Sequence, residues 1–398
     1  MKYPLTISGS AMRDINRSAV LELIRRESPI SRTAISEKLD ISLATVMRIV
    51  DELMETDFVR PQGSTEWSGG RRRSLLEFNA DGYVVLGIDM GGPKLYGAIS
   101  DLGGHVLEEV NLGRQKSVGD NETFERLVSL IEQLMASPKL KQRRVRGIGV
   151  GVPGVTLHKE GVVKWAYAYT WRDFPLKEKL SQRFDLPIIV DNDVNLSALG
   201  ELWFGAGQNT QNMILITNDI GIGAGIIVDG ALYRGASEAS GEIGNMIPDT
   251  SFLGKDYKNF GALETVASGT ALAEIACRSL KDKLPKSELD KLLAEDVFTA
   301  ARQGKKWAQN IIAKVVDYMA VAIANLSTAF DPEIIILGSG ISYSADLFID
   351  PVLQRINGSL PILPKLVAST LGRRATVMGA ITNVIHNTSN FYVVHKLS

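Results

Sequence analysis

The chain has 398 residues, of which 45% are hydrophobic and 22% are charged, and its formal net charge is -1. This length allows about two or three domains with sizeable cores, and the near-neutral charge excludes a global field that draws the protein to nucleic acid or membrane. The single cysteine, Cys277, excludes an internal disulfide and a cysteine-based zinc cluster. The sequence shows neither a secretory signal nor an apolar run long enough to span a bilayer, so we expect a cytoplasmic protein without a membrane partner.

The first 80 residues are polar, arginine-rich and helical in pattern. Apolar residues at helical spacing predict three helices, over 18–28, 31–40 and 42–57. Ser31 and Ser42 occupy the positions expected of N-caps for the second and third helices. The turn between these two helices is very short, which predicts a helix-turn-helix.

Two strand-like runs, 58–63 and 71–79, flank a polar, glycine-containing tip and predict a wing. A winged helix-turn-helix favours double-stranded DNA as the partner, and a protein-docking module is the alternative. Arg71 and Arg72 are then expected to enter an A·T-rich minor groove, where the narrow width concentrates negative potential. The alternative is that Arg48 and Arg71–Arg73 form only a solvated basic face.

The third predicted helix is the candidate recognition helix for the DNA major groove. At its N-terminal end, Ser42, Thr45 and Arg48 are expected to face phosphates or bases. On the same side, Leu43 and Met47 are candidates for contacts with thymine methyl groups.

From Tyr83 onward, strand and helix patterns alternate. The sequence predicts buried strands at 83–92, 94–104, 145–154, 185–195, 212–217, 224–235 and 332–340, and helices at 122–137, 262–282 and 305–329. This alternation indicates an α/β architecture. Glycine turns after separated strands favour nucleotide or sugar binding between two lobes, at the carboxyl ends of the strands.

Residues 217–226 read TNDIGIGAGI, which is typical of a strand that enters a phosphate-cradling turn. A phosphate there needs backbone N–H groups, yet Asp219 places a negative charge at the mouth of the turn. One interpretation is that this charge disfavours a phosphate ligand. The other is that Asp219 turns aside and caps a backbone N–H.

The order of motifs along the chain resembles the ROK family of transcriptional repressors and sugar kinases. The motifs are GIDMGGPK, GVPG, DNDVN, DIGIGAGIIVDGALYRG, GEIGN, GALETVASG and DPEIIILGSG. The segments SRTAISEKLDISLATVMRIVDELMETDFV and GGRRRSLLEFN resemble the helix-turn-helix and wing of the repressor branch, of the xylose or N-acetylglucosamine type.

The resemblance implies a winged helix-turn-helix DNA-binding domain at 1–80, followed by a two-lobed actin/hexokinase-like (ribonuclease H-like) domain at 81–398. The small lobe is then expected at about 81–195 together with the C-terminal segment. The large lobe is expected at about 196–380.

The resemblance also implies which residues bind sugar. Asn192, Asp193, Glu242, Asn245 and Glu264 stand at the positions that grip sugar hydroxyls in the family. Asp193 additionally matches the base that takes the proton from the sugar hydroxyl in the kinases. Because the two phosphate loops depart from the kinase pattern, we expect Asp193 to be a vestigial base and assign no catalytic residue.

Both phosphate loops depart from the family pattern. The first contains Asp89, the magnesium-binding position, and then Gly91 and Gly92, but Pro93 replaces the usual threonine. The second has Asp219 and Ile220 in place of Gly-Thr before Gly221. Proline and isoleucine remove phosphate donors, and the aspartate adds a like charge, so no ATP binding is expected.

A structural zinc is often bound in the family by a histidine and a cysteine cluster. The histidine position is Asn245 here, and no cysteine occupies the segment GKDYKNFGALE. A four-ligand zinc site cannot be assembled from these residues, so we expect neither zinc nor another metal.

These observations predict a sugar-responsive transcriptional regulator, a repressor of carbohydrate-metabolism genes. We expect it to bind a palindromic operator as a homodimer, or as a tetramer, and to use a degenerate kinase site as a sugar sensor. The main alternative is an ATP-dependent sugar kinase with an added DNA-binding domain. A third possibility is a sugar-binding scaffold that docks proteins through residues 1–80.

Overall fold

The computed structural model describes residues 9–62, 74–91, 95–113, 119–166, 169–257 and 261–388. The N-terminal part of the chain forms a head of three helices and three short strands. These elements are α1 (Gly9–Glu27), β1 (Ile30–Ser31), α2 (Arg32–Leu39), α3 (Leu43–Glu55), β2 (Val59–Pro61) and β3 (Leu75–Phe78).

The helix-turn-helix is held by local capping. The Ser31 hydroxyl accepts the N–H of Ala34 at 3.1 Å, and the Ser42 hydroxyl accepts the N–H of Thr45 at 3.3 Å. Both predicted N-caps are therefore confirmed. Between the helices, Asp40 adopts a left-handed conformation with φ 52° and ends α2, which turns the chain sharply into α3.

The head has one core and one small sheet. The predicted apolar face of α3 is fully buried and consists of Val46, Ile49, Val50 and Leu53. The strands follow the order β1-β3-β2, and β2 pairs with β3 in antiparallel register. The wing strands are thus confirmed, while the tip between them, including Arg71 and Arg72, lies outside the described residues.

Two features of the head differ from the prediction. Helix α1 begins at Gly9 rather than at 18 because its first half is polar and gives no apolar periodicity. The two-residue strand β1 was not predicted, since a strand of that length has no alternation to detect.

The next part of the chain forms the small lobe around a five-stranded sheet. Its elements are β4 (Val84–Asp89), β5 (Leu95–Asp101), β6 (Val106–Leu112), α4 (Asp120–Met135), β7 (Val145–Val152), β8 (Val155–Leu157), β9 (Val162–Ala166), β10 (Trp171–Phe174), α5 (Leu176–Ser181), β11 (Ile188–Asn192) and α6 (Asp193–Phe204). The main sheet has the order β11-β7-β4-β5-β6, with β4, β7 and β11 parallel. Consequently β4 and β11 deliver their carboxyl ends to the same edge.

The large lobe and the C-terminal helix follow. Their elements are β12 (Met213–Asn218), β13 (Ile222–Val228), β14 (Ala231–Leu232), α7 (Glu264–Ala267), α8 (Gly269–Leu280), α9 (Lys286–Leu289), α10 (Ala294–Arg302), α11 (Lys306–Phe330), β15 (Ile334–Gly338), α12 (Ile349–Ile356), β16 (Leu366–Ala368) and α13 (Ala375–Thr388). The sheet order is β14-β13-β12-β15-β16.

Two predicted segments are interrupted. The strand predicted at 185–195 ends at Asn192, and Asp193 already begins α6, because the Asn192 side chain caps that helix. The helix predicted at 262–282 is broken at Ser268, whose extended backbone and side chain provide the N-cap of α8.

One helix in the described part of the chain, α11, is long and apolar enough to cross a membrane by length and composition alone. Half of its most apolar window is buried inside the protein. Val315, Met319 and Ile323 on this helix lie in the core of the large lobe. This arrangement is that of a core helix in a globular domain.

Helix α13 packs against α6, against β4 and β7 of the small lobe, and against the head. Two glycines permit its close contact with α6. A Cβ at Gly379 lies only 1.7 Å from the carbonyl oxygen of Leu196, and one at Gly200 lies 2.2 Å from that of Ala375. The backbones of the two helices therefore touch, which no larger residue allows.

Candidate functional site

Two carboxylates meet at the edge where β4 ends and α6 begins. Asp89 Oδ1 accepts the N–H of Gly91 at 2.8 Å, and Asp193 Oδ1 accepts the N–H of Val194 at 2.9 Å. A Cβ at Gly91 lies 1.8 Å from Asp193 Oδ2, so only glycine lets the first loop lie against this carboxylate. The first loop and Asp193 thus form one surface, although Gly92 and Pro93 lie outside the described residues.

Both acids keep some access to solvent, but the surrounding protein desolvates their carboxyl groups. Burial, and next the charge of Asp89, raise the pKa of Asp193 to about 8. Burial likewise raises the pKa of Asp89 to about 6, against hydrogen bonds from Gly91 and Thr376. Near neutral pH Asp193 is therefore protonated and able to donate a hydrogen bond to a ligand oxygen.

A second pair of acids comes from the large lobe. Burial, and then the charge of Glu264, raise the pKa of Glu242 to about 7. The charge of Glu242 also raises the pKa of Asp193, which places Glu242 on the same cleft. Glu264 begins α7 and binds the backbone, accepting the N–H groups of Ile222 at 2.7 Å and of Gly261 at 3.0 Å. Glu264 thus ties the second loop in place, with lone pairs left for a ligand.

The two amide side chains differ in their surroundings. Asn192 caps α6 by accepting the N–H of Asn195 at 2.8 Å and donates to the carbonyl of Gly154 at 2.8 Å. It therefore orients the first turn of α6, on which Asp193 stands. Asn245 is exposed, and its amide donates to the backbone oxygen of Glu242 at 3.2 Å.

The second loop is the turn of a β-hairpin. Asn218 pairs with Ile222 across β12 and β13, so only residues 219–221 form the turn. Gly223 and Gly225 lie within β13, so the glycine-rich run continues from the turn into the second strand of the hairpin. A Cβ at Gly225 lies 2.4 Å from the Ala198 Cβ, so these glycines let the sheet approach α6.

Within this turn, the carboxylate of Asp219 is bound by the loop that follows β15. It accepts hydrogen bonds from the Ser339 hydroxyl and from the backbone N–H of Gly340. Asp219 therefore caps a backbone N–H, as the second interpretation of the sequence predicts. Ile220, at the tip of the turn, is exposed, and a Cβ at Gly221 lies 2.4 Å from Glu264 Oε1.

A buried ion pair links the lobes, and the sequence did not reveal it. Asp191, at the end of β11 and fully buried, accepts two hydrogen bonds from Arg234 at 2.8 and 2.6 Å. Asn383 of α13 donates a third, at 3.0 Å. The only signal was an acid inside an apolar strand, which must find a partner when buried. The partners lie 43 and 192 residues away in sequence.

The candidate DNA-binding surface is the outer side of α3. Ser42 and Arg48 are exposed there, and Leu43 and Met47 are 44% and 49% exposed. The hydroxyl of Ser42 is also 2.8 Å from that of Thr45. The structure thus places the predicted α3 residues together on one face, while Arg71 and Arg72 remain outside the described residues.

Behind this surface, the head is fastened to the two-lobed domain. The guanidinium of Arg25 on α1 lies 4.3 Å from the ring centroid of Trp203 and is bonded to Glu22 at 2.9 Å. The ring of His386 meets the same tryptophan edge-on at 4.9 Å. Desolvation lowers the pKa of His386 to about 4, so this half-buried histidine is neutral where it packs on Trp203.

The residues do not fit the cofactors of the kinase pattern. The described ranges contain no group of three or more His, Cys, Asp or Glu that could hold a metal ion. Cys277 donates its thiol to the carbonyl of Leu289 at 3.2 Å. The donor set does not suit structural zinc, and a turn that carries the Asp219 carboxylate does not suit a triphosphate.

Comparisons with known proteins agree with this architecture. A family model described as the ROK family matches residues 85–386, and one described as winged helix-turn-helix DNA-binding matches residues 13–60. A solved ROK family transcriptional regulator, a homologue of the Escherichia coli Mlc protein, superposes with a TM-score of 0.83 at 28% identity. The superposition covers 95% of this chain and 98% of that one.

Two curated relatives differ in how much of the chain they match. The xylose repressor of Caldicellulosiruptor bescii is 33% identical over 96% of this chain and 98% of its own length. The glucokinase of Halalkalibacterium halodurans is 34% identical over 74% of this chain and 92% of its own length. The similarity to the repressor therefore extends through the head.

Proposed function

Because the chain belongs to the ROK family and carries a winged helix-turn-helix head, we propose that it is a sugar-responsive transcriptional repressor of carbohydrate-metabolism genes. The observation that supports this most strongly is the position of α13. Its first turn supplies Thr376, which bonds Asp89 in the cleft, and its last turns pack on the head through Val384 and Ile385. A ligand in the cleft therefore has a direct structural route to the DNA-binding surface.

The cleft binds the sugar through Asn192, Asp193, Glu242, Asn245 and Glu264. Carboxyl and amide groups suit this ligand because each engages neighbouring hydroxyls. Asp193, protonated near neutral pH, donates to a sugar oxygen, while the amide of Asn192 and the carboxyl of Glu242 accept or donate as the hydroxyl requires. Closure of the lobes around the sugar changes the spacing of two heads in an oligomer.

The protein does not transfer phosphate, and Asp193 is a vestigial base. Although its carboxylate is turned to Ser339 and Gly340, Asp219 keeps a negative charge in the turn that would have to hold a triphosphate, and like charges at close range repel. ATP is therefore not a cofactor of this chain. Zinc is not one either, because Asn245 stands where the family has a histidine ligand.

The DNA-binding domain comprises residues 1–80 and the sugar-binding domain residues 81–398. Ser42, Thr45 and Arg48 on α3 enter the major groove. Arg71 and Arg72 of the wing enter the adjacent minor groove. One such module binds weakly, so the protein acts in the cytoplasm as a homodimer on a palindromic operator, or as a tetramer of two dimers.

D-xylose is the first candidate effector, because the full-length relative described above is a xylose repressor. D-glucose is the second, because a glucokinase matches the two-lobed domain. Whichever sugar binds, it changes operator affinity only if it binds one arrangement of the lobes better than the other.

The test is fluorescence anisotropy with DNA from upstream of the chain's own gene, without sugar and with saturating D-xylose, D-glucose or N-acetylglucosamine. We expect one sugar to change the operator Kd at least about tenfold, equivalent to about 1.4 kcal/mol. The double variant Arg48→Ala with Arg72→Ala is expected to lose operator binding. A matched double variant on the two-lobed domain, Arg172→Ala with Arg278→Ala, should keep it. Equal operator binding by both double variants would contradict the proposal.

A sugar kinase remains the second candidate, because Asp89 and Asp193 stay in place and a glucokinase is 34% identical over the two-lobed domain. A coupled assay of ATP consumption over pentoses, hexoses and amino sugars distinguishes the two functions. We expect no turnover above background. Sugar phosphorylation that disappears in Asp193→Asn would establish the kinase instead.

A further inference from the structure

The buried carboxylate of Asp191 joins three parts of the molecule at one point. It is the last residue but one of β11 and directly precedes the sugar-site residue Asn192, whose N–H it accepts at 2.8 Å. Arg234 reaches it from the large lobe, and Asn383 reaches it from α13. A single atom, Asp191 Oδ2, accepts from Arg234 Nη2 at 2.6 Å and from Asn383 Nδ2 at 3.0 Å. Any movement of the arginine therefore changes the surroundings of the Asn383 bond.

Arg234 belongs to a segment that bridges the lobes and leads into the sugar site. Four residues later, Glu238 binds the small lobe by accepting the N–H of His158 at 2.7 Å and facing its Nδ1 at 2.9 Å. The segment continues to Glu242, the large-lobe acid on the cleft. A change in the angle between the lobes therefore displaces both ends of this segment, Arg234 and Glu242.

Asn383 lies one helical turn from the head. His386, on the following turn of α13, packs on Trp203. The same tryptophan makes a cation–π interaction with Arg25 of α1. Ile385 and Val384 lie in the same apolar cluster as the head's core. A small shift of α13 at Asn383 consequently displaces the surface on which α1 rests.

We propose that Asp191, Arg234 and Asn383 form a coupling junction that passes sugar occupancy from the cleft to the DNA-binding head. Asn383 is its positioning residue, and it touches neither sugar nor DNA. The inference rests on the proposed function. The junction has two arrangements, one for the open and one for the closed cleft, and each ligand stabilises one of them.

The decisive variant is Asn383→Leu, which keeps the side-chain size and removes the amide donor to Asp191. It also removes the amide oxygen that accepts from Asn387, which keeps its bond to the Asn383 backbone oxygen at 2.8 Å. Asp191 retains both bonds from Arg234 and the N–H of Asn192, so the fold is expected to persist. The matched control is Thr382→Val on the neighbouring position. The hydroxyl of Thr382 is buried and has no hydrogen-bond partner among the described residues, so its loss removes no hydrogen bond.

Operator Kd values are measured by anisotropy with and without D-xylose, and sugar Kd values by calorimetry. In the wild type and Thr382→Val, we expect the sugar to change operator Kd at least about tenfold. In Asn383→Leu, we expect that ratio to fall below about twofold, while sugar Kd and sugar-free operator Kd each stay within about threefold. A general structural defect would instead lower both affinities.

Each outcome decides a different claim. A wild-type protein that binds operator but responds to none of D-xylose, D-glucose and N-acetylglucosamine defeats the proposed function, and this inference with it. A responsive wild type together with an equally responsive Asn383→Leu defeats this inference alone. Hydrogen exchange on the wild type gives a reading that needs no variant. We expect the responsive sugar to change amide protection in α13 from 381 onward and in α1, and a change confined to the cleft overturns the junction.

Discussion

The two sides of the cleft use the same residue type in opposite ways. On the side that we propose binds sugar, Asp193 and Glu242 are desolvated and their pKa values are raised to about 8 and about 7. The protein leaves most of their hydrogen-bonding capacity unused. On the other side, Asp219 is bound by Ser339 and Gly340 and stabilises a turn. The comparison teaches that a carboxylate's neighbours decide its role. An acid held poorly by the fold is available to a ligand, and one held well is not.

The largest expected effect tests the sugar side. In Asp193→Ala, the ligand loses a hydrogen bond made in a desolvated site, which is worth about 2 kcal/mol or about 30-fold in sugar Kd. The measurement is calorimetric titration with the responsive sugar. The fold should be unaffected or slightly stabilised, because a costly buried acid is removed. An unchanged sugar Kd would remove Asp193 from the binding site.

The counterpart on the other side is Asp219→Ala. It removes two hydrogen bonds that hold the turn to the loop after β15, so we expect a loss of about 1–2 kcal/mol in the free energy of unfolding. Sugar Kd should stay within about threefold. Urea denaturation and the same calorimetric titration check both values. A large loss of sugar affinity with unchanged stability would reverse the assignment of the two sides.

A pH series sharpens the contrast. The folded-state pKa of Asp193 is raised from 3.8 to about 8. The contribution of its protonated carboxyl to the free energy of unfolding is therefore fully present below the unfolded-state pKa. This contribution is lost as pH rises towards 8. Asp193→Asn cannot ionise and avoids that loss. We therefore expect the stability of Asp193→Asn relative to wild type to increase by about 1 kcal/mol or more between pH 5 and pH 8. Urea denaturation at each pH measures this, and a difference that is flat or falls with pH contradicts the raised pKa.

The smallest effect concerns Ile220, which is 39% exposed at the tip of the turn. Ile220→Thr returns a hydroxyl to the loop, and we expect a change in stability within about 0.5 kcal/mol. ATP should still not bind, because Asp219 keeps its charge in the turn. The informative comparison is Asp219→Gly combined with Ile220→Thr. Measurable ATP affinity in the double variant but not in the single one would identify Asp219 as the obstacle.

Features that depend on near neighbours were predictable from the sequence. Ser31 and Ser42 cap helices because they precede apolar-periodic segments, and each bonds a residue three positions on. The apolar face of α3 follows from the same local periodicity. The family motifs identified the acids of the cleft, and the structure brings Asp89, Asp193 and Glu242 together.

The features that could not be predicted depend on partners distant in sequence or, for the start of α6, on a helix cap that competes with the strand pattern. Asp219 and Ser339 are 120 residues apart, so no local pattern tells that the carboxylate turns inward. Asp191 appeared only as one letter of a motif, although its burial makes Arg234 and Asn383 necessary. The boundary of α6 was missed because the Asn192 cap overrides the strand pattern that runs up to it.

The contact of Gly200 and Gly379 has a mechanical consequence. Helix α6 starts at Asp193, and the last turns of α13 pack on the head. At Gly200 and Gly379 the main chains of the two helices touch, with no side chain between them. Because backbone contacts backbone there, a shift of α6 moves α13 directly. The lack of a Cβ at these two positions therefore couples the cleft to the DNA-binding head.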